Sequence, residues 1–308
     1  MSDSPSVGEK CVGFEVAADG MRAVCVDSSG TPCGGLTREL SFTESIANQL
    51  AAFVHESRAT FGGFERVGVA VPALVADDDR KILYSTHIAE FSQLDLASVV
   101  EAGHGFKVRV ENDANAAAFA EYTIGAARGS KNMFYATLGT GVGGAFIFDG
   151  KIWRGNGGFA GEFGYVPVGD EEGTRLEDVA STANIIRRTR SRVHQDSTSS
   201  LSDIPETDIN ISHIVEAAKA GDDFSLLMLE RTGGYVGTGI ASIINLLNIE
   251  KIVVGGAILE AGELILDHII ATAQKLSFAP SFESTSISHS QFGLDASATG
   301  AALLAQRA

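Results

Sequence analysis

The chain has 308 residues, enough to bury one or two substantial cores, and 44% of them are hydrophobic. Its 39 acidic against 23 basic side chains leave a net charge of −16, which disfavours nucleic acid and anionic membranes as partners and makes small-molecule chemistry the working expectation. The three cysteines, Cys11, Cys25 and Cys33, form no Cys-x-x-Cys pair, the opening MSDSPSVGEK has no apolar signal core, and no run approaches the ~20 apolar residues of a membrane span, so the sequence reads as cytoplasmic.

Two Val-rich runs, Val12–Val16 and Met21–Val26, joined by Ala17-Ala18-Asp19-Gly20, predict a β-hairpin, and a third strand is expected over Leu36–Phe42. Thr43 is placed to cap a helix that sets Ile46, Leu50, Phe53 and Val54 on one face and runs to about Thr60. Val67–Val71, ended by Pro72, has the continuous apolar character of a strand buried in an α/β sheet. The charge run Asp77–Lys81 reads as a solvated loop, because its aspartates lack the ligand spacing of a metal-binding turn. A short helix over Asp95–Ala102 leads to a strand over Lys107–Val110, then to Glu111-Asn112-Asp113 and an Ala-rich helix from Ala114 to Ala127. That junction puts Asn112 and Asp113 at the carboxyl end of a strand, where open α/β folds bind their ligands. A helix N-cap is the plain alternative for Asp113.

Strands over Met133–Leu138 and Ala145–Phe148 flank Gly139-Thr140-Gly141-Val142-Gly143-Gly144, where missing Cβ atoms permit positive φ and let backbone N–H groups converge on an anion. The glycine density continues to Tyr165, and the closing half holds one carboxylate, Glu162, among small residues. The pattern suits a phosphate donor beside a polyhydroxylated acceptor; a plain hairpin with a flexible loop suits it equally. A helix is expected from Leu176 to Arg192, and its basic run Arg187–Arg192 reads as a solvated face in preference to an anion or RNA contact. A polar surface loop over His194–Asp208 precedes helices at Ile211–Ala220 and Phe224–Leu247. Gly233, Gly234, Gly237 and Gly239 in the second of these imply close packing or a nearby ligand. A strand at Lys251–Val254 runs into Gly255-Gly256, followed by a helix at Glu260–Lys275, a strand at Thr285–Ser288 and a closing helix at Ala296–Gln306.

Glu111-Asn112-Asp113-Ala114-Asn115-Ala116-Ala117-Ala118 and Leu138–Gly164 resemble the motifs of the ROK family of sugar kinases and repressors, with Gly13–Asp27, Val67–Pro72, Asn245–Gly256 and Gly300–Leu303 following in family order. The resemblance implies an α/β fold of two actin-like ATPase (ribonuclease H-like) domains with a ligand cleft between them, here 1–122 with helix 296–308, and 123–295. It implies a kinase that moves a phosphoryl group from ATP with Mg²⁺ to a hexose or N-acylhexosamine hydroxyl, glucose being the default, with Asp113 as the base that takes the hydroxyl proton. Asn112, Glu162 and Glu177 match sugar-binding residues, and Tyr165 is grouped with them in place of the family's usual histidine. Gly139, Thr140 and Gly141 match a phosphate loop, and Gly255 and Gly256 the adenosine-side loop. A homodimer is also implied.

The sequence departs from the family at three places. The first phosphate loop, Asp-x-Gly-Gly-Thr-Lys in the family, is Glu15-Val16-Ala17-Ala18-Asp19-Gly20, so Asp19 is expected to repel a γ-phosphate unless a cation bridges them. The zinc-binding cysteines are missing from Gly169–Leu176, and with Tyr165 for histidine no structural zinc is expected. Pro72-Ala73 replaces the family's Pro-Gly. The alternatives to a kinase are a sugar-binding protein without phosphoryl transfer, and an enzyme with the same pocket and a changed reaction or donor. A DNA-binding repressor is least favoured, since about ten residues before Val12 are too few for a helix-turn-helix domain.

Overall fold

A computed structural model describes residues 10–17, 20–76, 78–102, 104–169, 173–194 and 198–307. In chain order the elements are β1 (Cys11–Ala17), β2 (Gly20–Val26), β3 (Pro32–Arg38), α1 (Ile46–Phe61), β4 (Arg66–Val71), β5 (Leu74–Val75), β6 (Ile82–Tyr84), α2 (Leu96–Glu101), β7 (Lys107–Asn112) and α3 (Asp113–Thr123). They continue with β8 (Asn132–Leu138), β9 (Val142–Phe148), β10 (Lys151–Trp153), α4 (Leu176–Ala180), α5 (Thr182–Val193), α6 (Ile211–Lys219), α7 (Asp223–Leu247), β11 (Lys251–Gly255), α8 (Glu263–Leu276), α9 (Ala279–Glu283), β12 (Ser286–His289) and α10 (Ala296–Gln306). Two compact units result. The first holds Met1–Gly129, Gly150–Ala160 and Leu294–Ala308; the second holds Ser130–Asp149 and Gly161–Gly293.

The first unit is built on a sheet of order β3-β2-β1-β4-β7, in which β1 to β3 are antiparallel and β4 and β7 run parallel to β1. Val67, Val69 and Val71 are wholly buried, as a continuous apolar strand requires. The third strand lies earlier than Leu36–Phe42: β3 is a mostly exposed edge strand that pairs with β2 alone, so its residues carry no burial pattern to announce it. Helix α1 starts at Ile46 under a Ser45 cap, two residues beyond Thr43. Glu90 fixes that start, accepting from Ser45 Oγ at 2.6 Å and from the Ile46 N–H at 2.8 Å, an acid at the positive end of a helix that has none in its own first turn. Helix α10 lies on this sheet at backbone distance: a Cβ at Gly13 or Gly68 would strike the backbone of α10, and one at Gly300 would strike the Ala116 carbonyl of α3.

In the second unit the strands run in the order β9-β8-β11-β12, with β9 antiparallel to β8 and the other two parallel to it. Helix α7 bears out the close packing expected of its glycines. A Cβ at Gly237 would come within 2.6 Å of the Ile269 carbonyl of α8, and one at Gly239 within 2.9 Å of the Phe163 ring. The helix expected over Leu176–Arg192 is two helices, because Ser181 is extended (φ −67°, ψ 149°) and its side chain caps α5 at the Asn184 N–H. The helix expected from Glu260 begins at Glu263, after a 3-10 turn over Ala257–Ala261. The loop His194–Asp208 contains 3-10 turns at Ser200–Asp203 and Glu206–Asp208.

Candidate functional site

In the first unit the candidate residues sit where β7 passes into α3. Asn112, not Asp113, caps the helix: its Oδ1 accepts from the Asn115 N–H at 3.0 Å while its Nδ2 donates to the Ala73 carbonyl at 3.3 Å. Asp113 is thereby the first helical residue, with Oδ1 accepting from the Ala114 N–H at 2.9 Å. The helix ends at Thr123, four residues short of the Ala127 expected.

Beneath the junction lies a charge network that sequence reading missed. Glu111 is 1% exposed, and its Oε1 accepts from Arg154 Nη1 (2.8 Å), Asn115 Nδ2 (3.0 Å) and the Asn112 N–H (2.9 Å). Arg154 Nη2 donates to Glu111 Oε2 and to Asp79 Oδ1, the latter at 3.2 Å, and Arg109 pairs with Asp79 at 2.9 Å. Burial outweighs the two guanidiniums and leaves the Asp79 carboxyl above its ordinary value. The signals were a glutamate at the end of a strand whose Val108 and Val110 are buried, and an arginine among glycines. Only the tertiary structure joins them.

In the second unit, residues 139–141 form the turn between β8 and β9, and two tethers hold it. The Gly139 carbonyl accepts both from the Thr182 N–H at 2.8 Å and from Thr182 Oγ1 at 2.7 Å, and the Val142 N–H donates to Glu177 Oε2 at 2.9 Å. The reason expected for the glycines is corrected in part, because none from Gly139 to Gly144 has positive φ. Gly144 is a packing glycine whose Cβ would meet Phe134 at 2.8 Å and Phe163 at 2.9 Å. Gly161, at φ 97°, and Gly164 lie against the β9 backbone and seat the segment between them there. Glu162 lies in that segment; burial, then the nearby Glu177, pushes its carboxyl above the ordinary value. Tyr165 is 55% exposed, with Arg175 over its ring at 4.8 Å.

Gly255 ends β11, the parallel neighbour of β8, opposite Thr137, and Gly256 follows it directly. At φ 96° Gly256 packs so closely on Leu138 that a Cβ would strike its backbone. Both glycine segments therefore lie at the carboxyl ends of adjacent strands, so the second unit brings Gly139, Thr140, Gly141, Gly255 and Gly256 together, with Glu177 bonded to the same turn.

On β1, Glu15 is 9% exposed and pairs with its cross-strand neighbour Arg22 at 3.7 Å. Ala18 and Asp19, on which the expected repulsion rests, lie outside the described residues, as does Asp77 of the acidic run. Among the described residues no group of three or more His, Cys, Asp or Glu could hold a metal ion, and no helix is long and apolar enough to cross a membrane.

A ROK family model matches residues 16–308. The chain belongs to the ROK family. Among its relatives, the glucokinase of Halalkalibacterium halodurans is 33% identical over 246 residues, covering 77% of this chain and 73% of its own. The xylose repressor of Bacillus subtilis is 25% identical over 303 residues, covering 94% of this chain and 75% of its own. A ROK glucokinase from Streptomyces griseus, solved in complex with glucose and AMPPNP, superposes with a TM-score of 0.88 at 28% identity, covering 97% of this chain and 100% of that one. The fold is thus that of the actin-like ATPase class.

Proposed function

We propose that this ROK protein is a sugar kinase that transfers a phosphoryl group from ATP to a hydroxyl of a hexose or N-acylhexosamine, with glucose as the default acceptor. The observation that carries the reading is the place of Asp113: Asn112 serves as the N-cap, and Asp113 follows as the first helical residue at the carboxyl end of β7, where open α/β folds bind their ligands and where a carboxylate can act as a general base. Identity to two glucokinases, one of them solved with glucose and AMPPNP, supports it.

In this reading Asn112, Glu162, Tyr165 and Glu177 bind sugar hydroxyls, each carboxylate offering several acceptor sites. The raised carboxyl of Glu162 suits a residue stabilised when hydroxyl donors arrive. The turn Gly139-Thr140-Gly141 carries no Cβ at its two glycines and is tied by Thr182 and Glu177, which fits a phosphate cradle, while Gly255 and Gly256 would lie on the adenosine side. ATP, when bound, would supply the transferable phosphoryl group, and Mg²⁺ would neutralise its phosphates. Asp113 orients the attacking hydroxyl and takes its proton. A cytoplasmic homodimer belongs to the same proposal.

One observation favours a second reading, a sugar-binding protein without transfer: Arg22 engages Glu15 where the family's first phosphate loop begins. Purified protein with Mg²⁺, a panel of nucleotides and polyphosphate, and a panel of hexoses decides between them by release of ADP or sugar phosphate. Turnover is expected, and Asp113→Asn is expected to abolish it with the melting temperature kept. Sugar binding by calorimetry with no turnover for any pair would refute the kinase reading.

A further inference from the structure

The basic run on α5, read from sequence as a solvated face, divides in the structure. Arg187 Nε donates to Asn184 Oδ1 at 3.1 Å, and Arg190 Nη2 donates to the carbonyls of Thr207 and Ile209 at 2.6 and 2.7 Å. Arg188 turns inward and is 8% exposed. Its Nη2 donates to Thr232 Oγ1 on α7 at 2.7 Å, and that hydroxyl donates onward to the Met228 carbonyl at 2.7 Å. The Tyr235 ring centroid lies 5.8 Å from its guanidinium carbon. Arg188 Nε is buried without an acceptor, and no described carboxylate pairs with the group. Burial, partly countered by Tyr235 and reinforced by Arg192, Arg187 and Arg231, holds its pKa down to about 10.

A guanidinium taken out of water is costly unless an anion accompanies it, and like charges nearby raise the cost. Among the described residues no ion pair joins a carboxylate to Arg188, Arg192 or Arg231, while the charge of Arg187 helps to hold the Asp178 carboxyl below its ordinary value. Four arginines on two facing helices answer a dianion better than a carboxylate, and guanidinium geometry matches the oxygens of a phosphate. An RNA backbone would call for a row of outward cations, whereas Arg188 is buried and Arg190 is tied to carbonyls. We propose that Arg188, with Arg187, Arg192 and Arg231 at its rim, is a binding site for a phosphate-class oxyanion, either free phosphate or the phosphate of a small ester.

The test uses the full chain in a phosphate-free zwitterionic buffer, titrated with sodium phosphate, with a hexose phosphate and with poly(U) RNA, against sodium chloride of matched ionic strength. A saturable rise in melting temperature is expected with phosphate or the hexose phosphate and not with chloride, and the tighter of the two names the source. Arg192→Gln/Arg231→Gln is expected to lose that shift. Arg188→Met supplies a second reading: without phosphate it should melt at or above the wild-type temperature, because an unpaired buried charge has gone, and at saturating phosphate below it. The proposal is overturned by the absence of any phosphate shift, by an unchanged shift in the double variant, which would move the anion to another site such as the 139–141 turn, by an equal loss for Arg188→Met in both buffers, or by binding of poly(U) alone.

Discussion

Replacing Arg154 by methionine tests the network under the β7–α3 junction. The substitution keeps most of the side-chain volume but removes two charged donors from Glu111, which is 1% exposed, and one from Asp79. Removing one partner of a buried ion pair costs about 3–5 kcal/mol. The lower end applies, because Glu111 keeps Asn115 Nδ2 and the Asn112 N–H while Asp79 keeps Arg109. A loss of about 3 kcal/mol corresponds to a fall of about 6–12 °C in melting temperature for a protein of roughly this size. Calorimetry on Arg154→Met, Glu111→Gln and the double variant closes the cycle. If the penalty is an unpaired buried charge, the double variant should be more stable than Arg154→Met alone. A fall of less than about 1 kcal/mol, within the range of exposed pairs, or a double variant no more stable than Arg154→Met, refutes the reasoning.

Glu162→Gln should raise the melting temperature near neutral pH while weakening sugar binding. The folded carboxyl titrates above its unfolded value, so the folded state binds the extra proton and stability falls as pH rises through that window; the gain from the amide should therefore vanish below the ordinary glutamate pKa, and a gain independent of pH would contradict this. Thr182→Val removes the side-chain bond to the Gly139 carbonyl but leaves the Thr182 N–H in place, and should cost about 1 kcal/mol and raise the nucleotide KM; a lowered melting temperature with unchanged nucleotide binding would confine Thr182 to a structural role. The Cys25 and Cys33 sulfurs lie 3.4 Å apart and need close only to about 2.05 Å to form a disulfide. Oxidised glutathione should therefore remove two titratable thiols, faster at high pH because burial and Cys33 push the Cys25 thiol up to about 12; a stable mixed disulfide on Cys33 alone would contradict it.

What the sequence made legible was whatever local pattern encodes. The Val-rich hairpin, β4, α7 and α10 follow from periodicity and composition, and the glycines of α7 foretold a close approach that Gly237 and Gly239 make. The glycine turn and the carboxyl end of β7 were found from their residues. The partners that act on them were not. Thr182 reaches the turn from 43 positions downstream, and Arg154 reaches Glu111 across the same span, so no window of sequence contains either pair. Likewise Arg188 looks like its neighbours on α5 until Thr232 and Tyr235 show which way it faces. The edge strand β3 was misplaced because its residues are mostly exposed and lack the alternation that marks a half-buried strand.

The embedding of α10 bears on how the protein is made. Glycines 13, 68 and 300 admit that helix to the centre of the first unit, and Arg66 Nη1 donates to the Gln306 carbonyl at 2.8 Å while Gln306 Nε2 reaches the Asp27 and Ser28 carbonyls at 3.0 Å. The unit that emerges first from the ribosome thus lacks a central piece of its packing until residues 296–306 have been synthesised, after the whole of the second. Its nascent form must wait with the face of β1 and β4 uncovered, so a chaperone or the ribosome surface has more to shield here than in a protein whose early residues fold as they appear.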